Sequence, residues 1–397
     1  MLTLDKVYHA SYILKDAIRQ TDVIFAPNIK TDCEVYLKSE NLQVTGSFKV
    51  RGAYYKISQL NDDEKKRGVI ACSAGNHAQG VALAATKNGI KSLICLPDGA
   101  PISKVEATKK YGAEVCLVPG VYDDAYNKAI ELQKEKGYVF IHPFNDPDVI
   151  AGQGTIGLEI LDQVKDLDAV IVPIGGGGLI SGVAFAVKSL NPNIKVYGVQ
   201  AAGAPSMKKS IEENEIKSLD KVATIADGIA VKTPGTLTFE LCKKYVDKIV
   251  TVNDDEISSA ILALIEKQKM IAEGAGAVAV AAVMFDKLPI KGKKVCCVVS
   301  GGNIDVTILS RVIKRGLLMS GRNYVMTIEL PDKPGQLTLV SKIISDLGAN
   351  VIAVNHERSN EGSSVTGCFL RVEVETRNFE HIQQIRQNLL NEGFKLL

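Results

Sequence analysis

From about residue 30 to about residue 320, short apolar, β-branched runs alternate with longer segments of helical period. The strand candidates are Val69–Cys72, 92–96, Glu114–Val118, 138–141, 169–174, 196–200 and 295–300. Helical stretches follow the first three, from Asn76, from Ser103 and from Asp123 to Lys136. Most of the runs are apolar throughout, as strands of a sheet covered by helices on both faces must be. This order predicts an α/β body with mostly parallel strands.

Residues 257–285 read as one long helical stretch broken at Gly274 and Gly276, and residues 317–323 read as a hinge. Beyond it the pattern changes. A strand at 324–330 meets the turn Pro331-Asp332-Lys333-Pro334-Gly335, whose prolines and glycine stop a strand. A helix at 337–347 closes on Gly348, and strands at 351–356 and 366–375 flank the loop Gly362-Ser363-Ser364. A helix at 378–391 and a strand at 394–397 complete a β-α-β-β-α-β order, the ferredoxin-like split unit. Two regions are therefore expected, 1–320 and 324–397.

Composition sets the function classes. Apolar residues are 46% and charged residues 23% of the 397, which excludes a disordered or fibrous chain. There are 47 basic and 45 acidic residues, a net charge of +2. A nucleic-acid binder or a polybasic membrane surface would show a basic excess. The first residues, with charges at Asp5 and Lys6 and no long apolar core after them, do not resemble a secretory signal. Residues 169–187 carry no charge, but Pro173 and the four glycines Gly175, Gly176, Gly177 and Gly178 read as strand, loop and buried helix, not as a membrane span. None of the eight cysteines forms a Cys-x-x-Cys pair, so buried free thiols and a cytoplasmic location are expected.

Four segments could carry chemistry. In Thr45-Gly46-Ser47-Phe48-Lys49-Val50-Arg51-Gly52-Ala53 a lysine enters a helix between an aromatic and an aliphatic side chain. Desolvation disfavours its ammonium form, so the amine becomes a nucleophile able to form a Schiff base with an aldehyde cofactor; a snorkelling surface lysine is the ordinary alternative. Cys72-Ser73-Ala74-Gly75-Asn76-His77-Ala78 follows a strand and opens a helix, where open α/β sheets bind anions. The ordinary alternative there is an N-cap at Ser73 or Asn76, and His77 reads as structural before it reads as a base. Pro173-Ile174-Gly175-Gly176-Gly177-Gly178-Leu179 offers converging backbone N–H groups for a phosphate monoester. It lacks the spacing of a dinucleotide or P-loop motif. Val298-Val299-Ser300-Gly301-Gly302-Asn303 ends another strand, and a tight turn is its plain alternative.

Taken in order, these four motifs resemble the fold-type II pyridoxal-phosphate enzymes, the tryptophan-synthase β-like group, and within it the threonine dehydratases or threonine ammonia-lyases. The segment from Tyr324 onward resembles an ACT regulatory domain. The resemblance implies a catalytic region of two α/β lobes that takes pyridoxal 5'-phosphate. It implies that Lys49 binds the cofactor aldehyde, that Phe48 packs beside the ring and that Asn76 hydrogen-bonds the 3'-oxygen. Gly175 to Gly178 with Leu179 would cradle the phosphate, Ser300 would face the pyridine nitrogen, and Ser73, Ala74, Gly75, Asn76 and His77 would receive the substrate carboxylate. A serine hydroxyl supplies no charge to the pyridine nitrogen, which favours prompt loss of a β-hydroxyl. The implied reaction takes L-threonine to 2-oxobutanoate and ammonia, and L-serine to pyruvate.

Departures from relatives narrow the reading. Related serine racemases carry a second serine where this chain has Ala74, and metal-binding carboxylates where it has Gln200 and Ser206. A racemase and a divalent-metal site are therefore not expected, since a hard cation prefers several charged oxygens. The ACT likeness places a small-molecule effector near Asp332, Gly335 and Asn350, with isoleucine, valine or a nucleotide as the ligand. It also implies a homodimer or homotetramer. Serine dehydration as the main activity, racemisation, an idle amino-acid sensor and a nucleotide-dependent dehydrogenase are the competing functions.

Overall fold

The computed structural model describes residues 2–358 and 367–397; the expected 362–364 loop and residue 366 lie outside the described residues. The chain forms two compact units, Met1–Val306 and Thr307–Leu397.

The first unit holds two sheets. One has four parallel strands in the order Glu114–Val118, Ser92–Pro97, Val69–Cys72, Val139–Phe140. The other runs Val23–Phe25, Glu34–Lys38, Lys294–Val298, Ala169–Pro173, Lys195–Ala201, Lys248–Val252, parallel except for the first pair. Val69–Cys72 and Ala169–Pro173 are buried at every residue, because helices cover both faces. The uncharged 169–187 stretch is a strand, a glycine loop and the start of the buried helix Gly178–Leu190. Among the described residues no helix is long and apolar enough to cross a membrane. All eight cysteines are free, six buried and Cys33 and Cys116 half-buried.

Several boundaries differ from the sequence expectation. Residues 257–285 are two helices, Asp254–Gln268 and Gly274–Met284. The break falls before the glycines, at Lys269, whose φ of 56° caps the first helix. The expected hinge is partly helix: residues 317–319 end the helix Val306–Met319, and Asn323 already begins the next strand. Three strands were not foreseen, Val23–Phe25, Glu34–Lys38 and Lys248–Val252. They are short or half-buried and lack an unbroken apolar run.

The second unit has the strand order Asn350–Glu357, Gly367–Glu375, Asn323–Pro331, Lys395–Leu396, antiparallel throughout. The helices Gln336–Asp346 and Phe379–Asn391 supply Val340, Ile344, Ile385 and Leu389 to its core. This is the β-α-β-β-α-β arrangement of a ferredoxin-like unit.

A buried ion network ties the first unit together. Arg51, with no exposed surface, donates to both Glu40 oxygens at 2.8 Å and to Glu159 at 2.6 and 2.9 Å. Lys38, equally buried, donates to Glu159 and to the carbonyl of Thr21, both at 2.5 Å. Burial pushes the Glu40 carboxyl up, but Arg51 outweighs it and holds the group below its usual value. Removing one partner of such a network leaves an uncompensated buried charge, at about 3–5 kcal/mol. Arg51→Ala is therefore expected to lower unfolding free energy by about that much in urea melts. Because the Glu40 pKa is depressed, its contribution is present above the ordinary 4.5 and is lost as pH falls through the lower folded value. The gap between Glu40→Gln and the parent chain should close in acid.

Candidate active site

Both sheets of the first unit reverse their strand order once. In the four-stranded sheet the chain moves outward from Val69–Cys72 and later returns to its other side with Val139–Phe140. In the six-stranded sheet it moves outward from Ala169–Pro173 and returns beside it with Lys294–Val298. Such switch points open a crevice at the strands' carboxyl ends. All of the strand-end motifs emerge there: Ser73 to His77 after Cys72, the tetraglycine after Pro173, and Ser300 after Val298.

Lys49 is the first residue of the helix Lys49–Ser58, with Phe48 at the cap. This helix lies very close to the helix Pro147–Gln163, where a Cβ on Gly152 would sit 2.7 Å from the carbonyl oxygen of Arg51. Lys49 Nζ donates to the carbonyl of Pro143 at 2.9 Å and lies 5.3 Å from the Phe48 ring centre. Its side chain is half-buried, with protein on most sides. Burial lowers its pKa to about 8, against a smaller upward pull from Glu273. At pH 7 about 10% of the amine is then neutral, roughly 300 times the fraction at the ordinary 10.5.

Backbone bonds stitch the lysine segment to the end of the strand Lys294–Val298. Phe48 N donates to Ser300 O at 3.1 Å, and Gly302 N to Gly46 O at 2.9 Å. The Ser300 hydroxyl is buried and donates to Ala275 O at 3.3 Å. Asn76 completes the cluster. Its Oδ1 accepts from Asn303 at 2.8 Å, and its Nδ2 donates to Glu273 at 2.7 Å. An amide nitrogen carries two hydrogens, so one remains for a ligand.

The tetraglycine is joined to the lysine through the loop after Val139–Phe140. A Cβ on Gly176 would meet the Phe144 ring at 2.5 Å, and Gly177 has φ +99°. Only glycine lets this loop lie against Phe144 and turn its amides to the start of the helix Gly178–Leu190. Leu179 itself is a core side chain, so only its backbone can serve a ligand. Gly75 caps the helix Asn76–Lys87, in place of the Ser73 or Asn76 cap weighed from sequence. Ser73 Oγ accepts from Gly75 N at 3.1 Å, Ala74 packs partly against the core, and a Cβ on Gly75 would meet nothing within 4 Å.

The two nearby histidines are neutral. Burial, and then the charge of Lys49, lower His77 to about 3 and His142 to about 4. His77 Nε2 bonds the carbonyl of Ile141 at 2.8 Å, a structural role. His142 Nδ1 accepts from the amides of Phe144 and Asn145, at 3.2 and 2.8 Å, and so shapes the loop beside the lysine.

Glu273 was not foreseen. It is buried, and burial followed by Asp227 raises its carboxyl to about 7. It is the single charged residue between 271 and 285, and that isolation in an apolar stretch is the signal that could have found it. Gln200 and Ser206 make structural bonds: Gln200 Oε1 accepts from Lys208 N at 2.8 Å, and Ser206 donates to Val231 O at 2.8 Å. Asp332, Gly335 and Asn350 belong to the second unit and are exposed.

These donors fit a pyridine aldehyde bearing a phosphate: a partly neutral amine beside an aromatic ring, a glycine cradle at a 13-residue helix start, a neutral hydroxyl and a spare amide hydrogen. Residues 14–301 match the family described as pyridoxal-phosphate dependent enzyme. The L-threonine ammonia-lyase of Thermotoga maritima is 50% identical over 100% of this chain and 99% of its own. The processed form of threonine deaminase isoform 2 from Solanum lycopersicum superposes with TM-score 0.74 at 38% identity, over 78% of this chain and 93% of its own. Maize serine racemase gives 0.75 at 35%, over 80% and 98%. The chain belongs to the pyridoxal-phosphate dependent enzymes, among the L-threonine ammonia-lyases.

Proposed function

We propose that this chain deaminates L-threonine to 2-oxobutanoate and ammonia, and L-serine to pyruvate, at the crevice around Lys49. The observation that carries this is the half-buried Lys49 amine, held at 2.9 Å from Pro143 O beside the segment bonded to Ser300. Pyridoxal 5'-phosphate supplies, when bound, the electron sink that makes an amino acid's α-proton acidic.

The rest is done by side chains and amides of this chain. Lys49 would hold the cofactor aldehyde, and its amine, when neutral, would take the substrate's α-proton. Phe48 would pack beside the cofactor ring, and Asn76 Nδ2 has a hydrogen to offer the cofactor. The amides of Gly175 to Leu179 would hold the phosphate at a helix start. Residues Ser73 to His77 receive the substrate carboxylate. With His77 neutral, amide dipoles of the helix Asn76–Lys87 do that work. Ser300 would supply a hydroxyl and no charge to the cofactor, which would favour elimination. Pro143, Phe144 and Asn145 wall the substrate's side chain.

The likeness to a serine racemase keeps racemisation as a second reading. Against it, the position that would need a second hydroxyl is Ala74. Analysis of products for 2-oxobutanoate, pyruvate and D-amino acids separates the two.

The catalytic region expected at 1–320 corresponds to the first unit, which ends at Val306, and 324–397 within the second unit is an ACT regulatory domain, a reading supported by its β-α-β-β-α-β order. Asp332, Gly335 and Asn350 then face an amino-acid or nucleotide effector, and inhibition by isoleucine is the leading form. The enzyme works as a homodimer or homotetramer in the cytoplasm, in isoleucine biosynthesis or threonine catabolism.

Lys49→Ala is expected to remove both turnover of L-threonine and the visible absorbance of the loaded cofactor; surviving turnover sinks the assignment. Cofactor uptake by the stripped enzyme should quicken from pH 7 to 9, since the neutral amine fraction rises from about 10% to about 90% around the pKa of about 8. Glu273→Gln, which keeps an acceptor for Asn76, should remove an ionisation near 7 from the pH profile of kcat/KM. Activity curves that coincide with and without isoleucine would remove that effector.

A further inference from the structure

The second unit carries a cluster that neither the proposed reaction nor the effector reading uses in full. Asp332, His356 and Cys368 each offer one donor atom, and the three atoms lie within 4.8 Å of one another. Sheet register brings them together. Cys368 pairs with Leu330, and His356 pairs with Leu370 on the neighbouring strand. Residues two apart on a strand share a face. Cys368 therefore shares its face with Leu370 and so with His356. Asp332, two residues past Leu330, continues that same row beyond the strand end.

We propose that Asp332, His356 and Cys368 form a binding site for a divalent transition-metal ion of the zinc class. The donor set is one thiolate, one imidazole and one carboxylate, the mix that zinc takes in tetrahedral sites. Calcium and magnesium require more oxygens than the cluster offers. Bond lengths of 2.0–2.3 Å in a tetrahedron set donors about 3.5 Å apart. His356 Nε2 now stands 2.9 Å from Cys368 Sγ. The exposed histidine has room to move out by the difference.

The surroundings suit the ion. Arg358 Nε holds Asp332 Oδ2 at 3.2 Å, which leaves Oδ1 directed elsewhere and orients the carboxylate from outside. Cys368 is buried and its thiol contacts Leu330 O at 3.6 Å. Ion binding would exchange that weak contact for a metal–sulfur bond and release the thiol proton. A thiolate and a carboxylate together neutralise a dipositive ion. Three protein ligands leave the fourth position to water. Asp332 also stands in the proposed effector-facing set, so an ion there would fix that turn.

The test uses the full-length, cofactor-loaded enzyme, stripped of metal with a chelator and titrated with Co(II), then with Zn(II) in competition. The expected result is one ion per chain, with red-region cobalt bands of a tetrahedral thiolate site, clear of cofactor absorbance. Cys368→Ser and His356→Ala should each weaken binding at least about 100-fold, the upper end of what losing even an outer partner costs. His356 is on the surface, so His356→Ala tests the site even where Cys368→Ser disturbs the core. No stoichiometric binding, or binding that His356→Ala leaves unchanged, overturns the proposal.

Discussion

The site depends on a guanidinium buried two residues beyond Lys49. Arg51 is enclosed by Glu40 and Glu159, and Lys38 joins the same carboxylate of Glu159. Two positive and two negative groups balance. A network of this kind adds little stability over apolar packing of the same volume. It fixes geometry, because each charge is tolerated only with its partners in place. At 3.6 residues per turn, Arg51 lies about 200° around the helix from Lys49. The arginine is anchored in the junction between helix and strand while the lysine is presented to the crevice. Glycines at the helix crossing bring the two backbones close enough for Arg51 to reach Glu159.

A second constraint is the reversal of strand order in both sheets of the first unit. Each reversal leaves a gap at the carboxyl end of the strands, and the two gaps hold the short, glycine-rich connections. Dipoles do most of the electrostatic work there. Both histidines near the lysine are neutral, and the carboxyl of Glu273, buried beside Asn76, is raised to about 7. A site poor in fixed charge keeps the lysine amine partly neutral, and it presents backbone N–H groups at two helix starts.

The zinc-class cluster of the second unit illustrates a different kind of assembly. Its donors come from two adjacent strands, at positions 356 and 368, and from the turn just past the end of a third, at position 332. No spacing rule for metal ligands covers such a set, since the sequence intervals are long and irregular and only antiparallel register brings the side chains together.

The sequence by itself determined the alternation of strand and helix, the β-α-β-β-α-β order of the second unit and the four motifs around Lys49, Asn76, Gly175 to Gly178 and Ser300. These are local patterns: period, glycine runs and residues at the ends of apolar strands. It did not show Glu273, the Pro143–Asn145 loop as the acceptor for Lys49, or the strands Val23–Phe25, Glu34–Lys38 and Lys248–Val252. It placed a helix break at Gly274 and Gly276, where Lys269 in the left-handed region ends the helix earlier. The break at Lys269 is a local backbone choice; tertiary structure decided the others because each rests on burial or pairing supplied by another segment. Glu273 is raised by its burial near Asp227, Lys49 is lowered by the walls around it, and an edge strand is defined by the neighbour it pairs with.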